Sequence, residues 1–383
     1  MNLSTLTNRR VLTSAAPAAL FFCACNASVN ALEVVGKQLE IYATLHPSFD
    51  YMDSDTSQAE ADAHDTDKLT TGSSSLSFNS SKIGFRGQIG TDIPGINAIY
   101  QLEQAVNLDG KSDDTLNTRN SFAGIKSDEW MIIAGRHDSL FKDLALRHSL
   151  IKHSIGDRGA ILGAGAIHGN QMDKRAENML LGRYYLPLGS GNLELQAQYS
   201  PDAVKSAGNV DNNKREMFAV GSEWKSSART LAFAYDHWSN ISVGSTVGEV
   251  NAYRAVWKET GTALTTSLIL ESIDHKLDDG SKGELDRDAF AFQAAYKYAG
   301  LKYLGQVMMA GDYADVDDSG ATMLSMGVEK SLSGSTKVYA MYTQTDNDKN
   351  AAYQAVDGTH GDELATTNGG TPKAFSVGSV INF

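Results

Sequence analysis

Cysteine occurs only twice in this 383-residue chain, as Cys23 and Cys25, and proline only six times. Two neighbouring cysteines near the start cannot staple a fold, so the remainder holds together without disulfides. Scarce proline leaves backbone N–H groups free for ladders, and most of the prolines fall where turns are expected: Pro94, Pro187, Pro201 and Pro372. A basic excess is also missing. With 33 Lys and Arg against 46 Asp and Glu, the net charge of −13 excludes a nucleic-acid binder, which needs a cationic surface to neutralise phosphates. Long hydrophobic runs are absent beyond the first thirty or so residues, although 42% of the chain is hydrophobic. Nothing there approaches the roughly 20 apolar positions of a spanning helix.

What is present begins with an export signal. Arg9 and Arg10 precede an apolar run from Val11 through Ala27 and the small-residue pattern Val29-Asn30-Ala31, which reads as a secretory leader over 1–31, cleaved after Ala31. Both cysteines lie inside it. Its removal takes two arginines and no acid, so the mature domain, 32–383, carries −15.

Alternation dominates that domain. Leu39, Ile41, Ala43 and Leu45 alternate with Glu40, Tyr42, Thr44 and His46; Leu193, Leu195, Ala197 and Tyr199 alternate with Glu194, Gln196, Gln198 and Ser200. Each such stretch is a strand with one apolar and one polar face. The spacing predicts strands near 38–51, 76–90, 95–107, 118–126, 129–137, 177–186, 192–200, 215–225, 229–238, 248–258, 263–272, 288–298, 301–311, 321–330, 335–344 and 374–383. Short connections such as "TDIP", "PLGSG" and "SLSG" alternate with long ones at 52–75, 108–117, 138–176, 201–214, 239–247, 273–287, 312–320 and 345–373. Segregated short turns and long loops imply an all-β, transmembrane, antiparallel up-and-down barrel of about 16 strands, with short periplasmic turns and long extracellular loops. Aromatics near strand ends (Tyr184, Tyr185, Tyr199, Trp224, Trp238, Trp257, Tyr298) fit a girdle at the lipid boundary. The chain ends on "AFSVGSVINF", a strand that should pair with "LEIYATLH" and turn its odd positions to lipid, because only closure removes a free edge.

Three stretches carry a family resemblance: "SKIGFRGQIGTDIPGINAIYQLE" (Ser81–Glu103), "TRNSFAGIKSDEWMIIAGR" (Thr118–Arg136) and the terminal strand ending in Phe383. At these residues the chain resembles the Gram-negative general porins, trimeric sixteen-stranded channels of outer membranes. The resemblance implies a cell outer-membrane location, a homotrimer surrounded by lipid and lipopolysaccharide, and a third loop, 138–176, folded into the pore. It also implies that Phe383 is the signal read by the barrel-assembly machinery. The chain departs from the family at "SDEW", where a Gly-rich turn is usual.

No catalytic constellation, cofactor motif or metal-ligand spacing emerges; His148, His153 and His168 in the third loop match no ligand pattern. What remains is charge lining a lumen. By parity Lys82, Arg86, Arg254 and Lys297 face inward, as does Arg119, with Glu40, Glu103 and Glu194 as inward acids that could pair with them. The third loop holds six bases against four acids, among them Asp143, Asp157 and Asp173. Such a loop in an acidic chain suggests an anion-preferring opening. The family places an arginine cluster opposite acids of this loop, and Arg86, Arg119, Arg136 and Arg175 stand in the matching stretches. The acidic first loop, "DYMDSDTSQAEADAHDTDK", reads as a solvated extracellular loop, or as one that binds divalent cations beside lipopolysaccharide or covers the mouth. Three functions follow: a passive channel for small hydrophilic solutes and ions; a substrate-specific channel for an anionic solute, which an arginine ladder would favour; and a barrel enzyme or adhesin, for which neither a catalytic constellation nor an enlarged repetitive region is visible.

Overall fold

The computed structural model describes residues 32–55, 72–109, 116–163, 172–203, 215–243, 246–314, 316–356, 360–361 and 364–383. The expected leader, most of the acidic first loop and His168 lie outside the described residues. The chain forms one sheet of twenty strand segments: β1 (Leu32–Glu33), β2 (Glu40–Leu45), β3 (Pro47–Asp53), β4 (Ser73–Phe78), β5 (Lys82–Gly90), β6 (Asn97–Val106), β7 (Leu116–Thr118), β8 (Ser121–Lys126), β9 (Trp130–Asp138), β10 (Arg175–Leu188), β11 (Gly191–Ser200), β12 (Met217–Lys225), β13 (Arg229–Val243), β14 (Thr246–Thr260), β15 (Leu264–Leu277), β16 (Arg287–Tyr298), β17 (Leu301–Ala310), β18 (Ala321–Ser331), β19 (Thr336–Asn347) and β20 (Lys373–Asn382). Segments β2 with β3, β4 with β5, and β7 with β8 are single staves broken by one to three irregular residues, and β1 is a short edge on β2. The result is a closed antiparallel barrel of 16 strands.

Closure follows from the chain's two ends. Ala43 N–H donates to Phe383 O at 2.8 Å and Phe383 N–H returns the bond to Ala43 O at 3.1 Å. From there β20 pairs Leu45 with Ile381, then runs along β3 to the pair Asp53 and Lys373. The terminal strand thus meets "LEIYATLH" only over its last residues and finds most of its partners one segment further on. Its odd positions face outward as expected: Phe375 is 49% exposed while Ser376 is fully buried in the interior.

Turn chemistry holds the short rim together. Leu188 pairs Gly191 and Tyr298 pairs Leu301, so Gly189-Ser190 and Ala299-Gly300 are two-residue hairpin turns. Gly189 (φ +61°), Ala299 (φ +51°) and Gly300 (φ +76°) take the left-handed conformation such turns need. The opposite rim differs in one place from the expected pattern. The segment 239–247 is not a long loop, because β13 and β14 extend past a register shift between Trp238 and Ile241 and leave only 244–245 between them. Asn240 (φ +53°) marks that irregularity.

A second irregularity decides which residues face the lumen. In β4 the inward positions are Ser75 and Ser77, but in β5 they are Lys82, Gly84 and Arg86, so parity flips across 79–81, where Ser80 has φ +44°. Two expected girdle aromatics are corrected by the same reasoning. Trp238 is 1% exposed on the inner wall, and Tyr185 shares the inward parity of Leu181 and Arg183, whereas Tyr184, Tyr199, Trp257 and Tyr298 are exposed on the outer face.

The outer positions of β20 test this arrangement. Val377→Lys, near the middle of that strand, should destabilise the barrel by about 2–4 kcal/mol, read by urea unfolding from lipid vesicles. A variant as stable as the parent would mean that this face is not in hydrocarbon.

Candidate pore constriction

The long segment between β9 and β10 enters the barrel and carries a helix, α1 (Leu140–His148). Ser139 caps it, its hydroxyl accepting from Lys142 N–H at 3.2 Å, and Asp143 in the first turn with Arg147 and His148 in the last complement the helix dipole. Sequence reasoning read this stretch as loop throughout; the signal for the helix was Ser139 followed by Leu140, Phe141, Leu144 and Ala145. These apolar side chains, with Ile161, Leu162 and Met172, pack onto a wall of small residues that includes Ala219, Ala234, Ala252 and Ala291. Alanine at inward positions makes room for the helix against the strands.

Buried ions pin the loop to the same wall. Arg254 donates to Asp173 Oδ1 at 3.0 Å and to Phe141 O at 2.7 Å, stacks over the Phe141 ring and bonds Glu271. Arg158 holds the other Asp173 oxygen at 2.8 Å, Glu271 accepts from Gly163 N–H at 2.9 Å, and Arg287 reaches Glu271 and the Ile161 carbonyl. Burial pulls Asp173 upward, but Arg158, Arg254 and Lys142 outweigh it and keep its pKa below the usual carboxylate value. The last long loop also turns inward: Ala351, Tyr353 and Val356 are buried, Ala355 O accepts from Gly156 N–H at 3.1 Å, and the Tyr353 hydroxyl donates to that of Tyr313 at 2.9 Å.

On its far side the third loop faces a charged wall across a narrow gap lined by Tyr42, Lys82, Arg86, Glu103, Arg119 and, from the loop, Asp143 and Arg147. Arg86 pairs with Glu40 at 2.7 Å and lies over the Tyr42 ring. Lys82 and Arg119 share Glu103, at 2.8 and 3.0 Å, and the Tyr42 hydroxyl donates to the same carboxylate. Opposite, Asp143 pairs with Arg147 at 3.2 Å and Arg183 at 3.1 Å, while Arg147 also reaches Glu223 at 2.8 Å.

The remaining expected residues separate. Arg175 backs the gap through Asn120 (3.0 Å) and Asp138 (3.4 Å). Arg136 shares the parity of the outward-facing Ile132 and Ala134 and bonds Glu177 and the Thr118 carbonyl, so it stands outside the gap. Asp157 and Asp173 do not border it either: Asp157 caps a short turn through His153 and Gly159 N–H groups and pairs with Arg158. Arg254 is inward but sealed under the loop, and Lys297 lies at the short-turn rim. His148 pairs with Glu223 at 3.2 Å, and burial pushes His153 well below its ordinary pKa. Arg147 and Arg158 enter the sequence reading only as two of the third loop's six bases, and Arg183, Glu271 and Arg287 not at all; strand parity alone marks Arg183, between inward Leu181 and Tyr185, and Glu271, between Ile269 and Ile273.

A family model described as "Gram-negative porin" matches residues 13–350. The major outer membrane protein P.IB of Neisseria meningitidis is 25% identical over 225 residues, which are 58% of this chain and 62% of that relative's length. Among solved structures, an anion-selective porin from Comamonas acidovorans superposes with a TM-score of 0.72 at 16% identity, covering 90% of this chain and 99% of that one. The trimer form of OmpT, an outer membrane protein of Vibrio cholerae, gives 0.64 at 14% identity over 90% and 99%. These two share the fold.

The buried ion network yields a stability test. Arg254→Met leaves Asp173 and Glu271 with one cation fewer in the interior and should cost ~3–5 kcal/mol in urea unfolding, with faster tryptic cleavage after Lys152 or Arg158. Unchanged cleavage and stability would show that the loop is held by its apolar face alone.

Proposed function

Because the chain belongs to the Gram-negative porin family, we propose that it forms a water-filled channel for passive diffusion of small hydrophilic solutes and ions, with a preference for anions. The protein is one of the cell outer membrane. Three copies form the assembly in this reading, with Phe383 as the residue the assembly machinery reads, exported by cleavage of 1–31. In this reading Lys82, Arg86 and Arg119, faced by Arg147 and Arg183 and backed by Arg175, act on a passing ion, since charge beside a low-dielectric wall is poorly screened.

The observation that carries the anion preference is a charge imbalance. From the gap to the short-turn rim, the inward strand positions are Lys82, Arg86, Lys126, Arg183, Lys225, Lys258, Lys297, Lys302 and Lys337 against Glu40, Glu103, Glu194, Glu223 and Glu329. That is a basic lumen in a chain of net charge −13. The likeness to an anion-selective porin points the same way.

Planar-bilayer recordings test this. Wild type should conduct in steps of three and show an anion-selective reversal potential in a KCl gradient, reduced in Arg119→Ala with Arg175→Ala. A correctly folded barrel without conductance would overturn the channel, and unchanged selectivity in the variant would remove those arginines from it. Two loop lysines add a pH dependence. Burial, with Lys258, Arg158 and Lys337 nearby and only Asp157 opposing, pushes Lys152 down to about 7. Burial and Arg175 and Arg158, opposed by Asp138 and Asp173, bring Lys142 to about 8. Each ammonium is charged below its pKa and neutral above it. Raising the pH from about 6 to about 9 should therefore shift selectivity toward cations while conductance steps persist; a flat profile would exclude both from the ion path.

A further inference from the structure

The wall opposite the arginines carries its own cations, and they come from alternate strands. Thr230 pairs with Lys225 on one side and Lys258 on the other, so both lysines stand in one row about 10 Å apart, two strand spacings. Lys258 pairs onward with Ser267, and Ser267 with Gln293. The tip of the third loop is seated on that same row: Leu150 N–H donates to Gln293 Oε1, and Gln306 Nε2 donates to Gly156 O at 2.7 Å. Lys152 lies between these two anchors. Further toward the rim Lys297 is directly opposite Lys302, and Lys302 and Lys337 share the single carboxylate of Glu329.

Acids do not balance this group. Lys225, Lys258 and Lys297 have no ion-pair partner among the described residues, and Glu223, the acid beside Lys258, is taken by Arg147 and His148. Like charges directly opposite on one face of a sheet destabilise it. Burial and its cationic neighbours already push Lys152 down to about 7, which an arriving anion would reverse. Lysine ammonium groups act as point charges on oxyanions, and a wide row of them suits several charges on one molecule better than one.

We propose that Lys152, Lys225 and Lys258, continued by Lys297, Lys302 and Lys337, form a binding track for extended anions bearing two or more oxyanion groups. The proposal rests on the channel reading and adds a site distinct from the arginine-lined gap. Binding there has to be weak and spread over several sites, since a solute held at one point would block rather than pass.

The experiment is block of the KCl current by inorganic tripolyphosphate added from the short-turn side, with orthophosphate at equal ionic strength as the comparison. Wild-type channels should show brief closures with tripolyphosphate at concentrations where orthophosphate gives none. Lys225→Gln with Lys258→Gln should weaken that block roughly ten-fold, the loss expected from two charge-assisted contacts, while Lys330→Gln, on the outward parity of β18, should not. Equal block in the double variant, or block lost only in Arg86→Gln with Arg119→Gln, would overturn the track and leave the channel standing. Absence of any conductance from the folded protein would overturn the channel reading and the track together.

Discussion

A backbone N–H or C=O left unpaired in hydrocarbon costs several kcal/mol, and the whole architecture depends on avoiding that cost. Each strand must have two neighbours, so the first and last must find each other. The reciprocal bonds between Ala43 and Phe383, and the pairing of β20 along β3, provide this. Once the sheet is closed, every strand position is committed to lipid or to the interior, and Phe375 and Ser376 on adjacent positions of one strand meet opposite solvents.

Closure creates an interior that side chains alone do not fill. On one side the third loop packs helix α1 against alanines and buries Phe141, Leu144 and Ile161; on the other it leaves a polar gap. The asymmetry follows from residue size. Small inward residues on β12 to β16 admit the helix, while on the opposite wall Lys82, Arg86 and Arg119 are held in their own ion pairs and Tyr42 in a hydrogen bond to Glu103. Burying Arg254, Asp173 and Glu271 carries a desolvation cost that their mutual attraction only partly offsets. What the network contributes is a definite place for the loop.

Much of this was legible in particular residues. All sixteen expected strands correspond to staves of the barrel, and the inward parity of Lys82 and Arg86 holds because both lie on one side of the flip at 79–81. Position near a strand end misplaced Trp238: it shares the inward parity of Ala232, Ala234 and Asp236, and because β13 continues past it, a residue taken for a rim aromatic became part of the interior. Arg136 was drawn in by the stretch that contains it, yet its own alternation with Ile132 and Ala134 turns it outward. Helix α1 had a cap and an apolar pattern, but nine residues inside a long loop between strands are a weak local signal.

Strand periodicity, turn residues and the aromatic end are local properties, so the sequence by itself determined that the chain is a closed barrel with one short-turned rim. Which charges are spent on one another is not local. Arg254 and Asp173 are 81 residues apart, Asp143 and Arg183 are 40 apart, and Lys225 and Lys258 share a row only because β13 lies between their strands in the sheet. Only the tertiary structure decided that Asp143 and Asp173 bind the wall while Lys225, Lys258 and Lys297 on it have no ion-pair partner among the described residues, because an ion pair depends on distance in space.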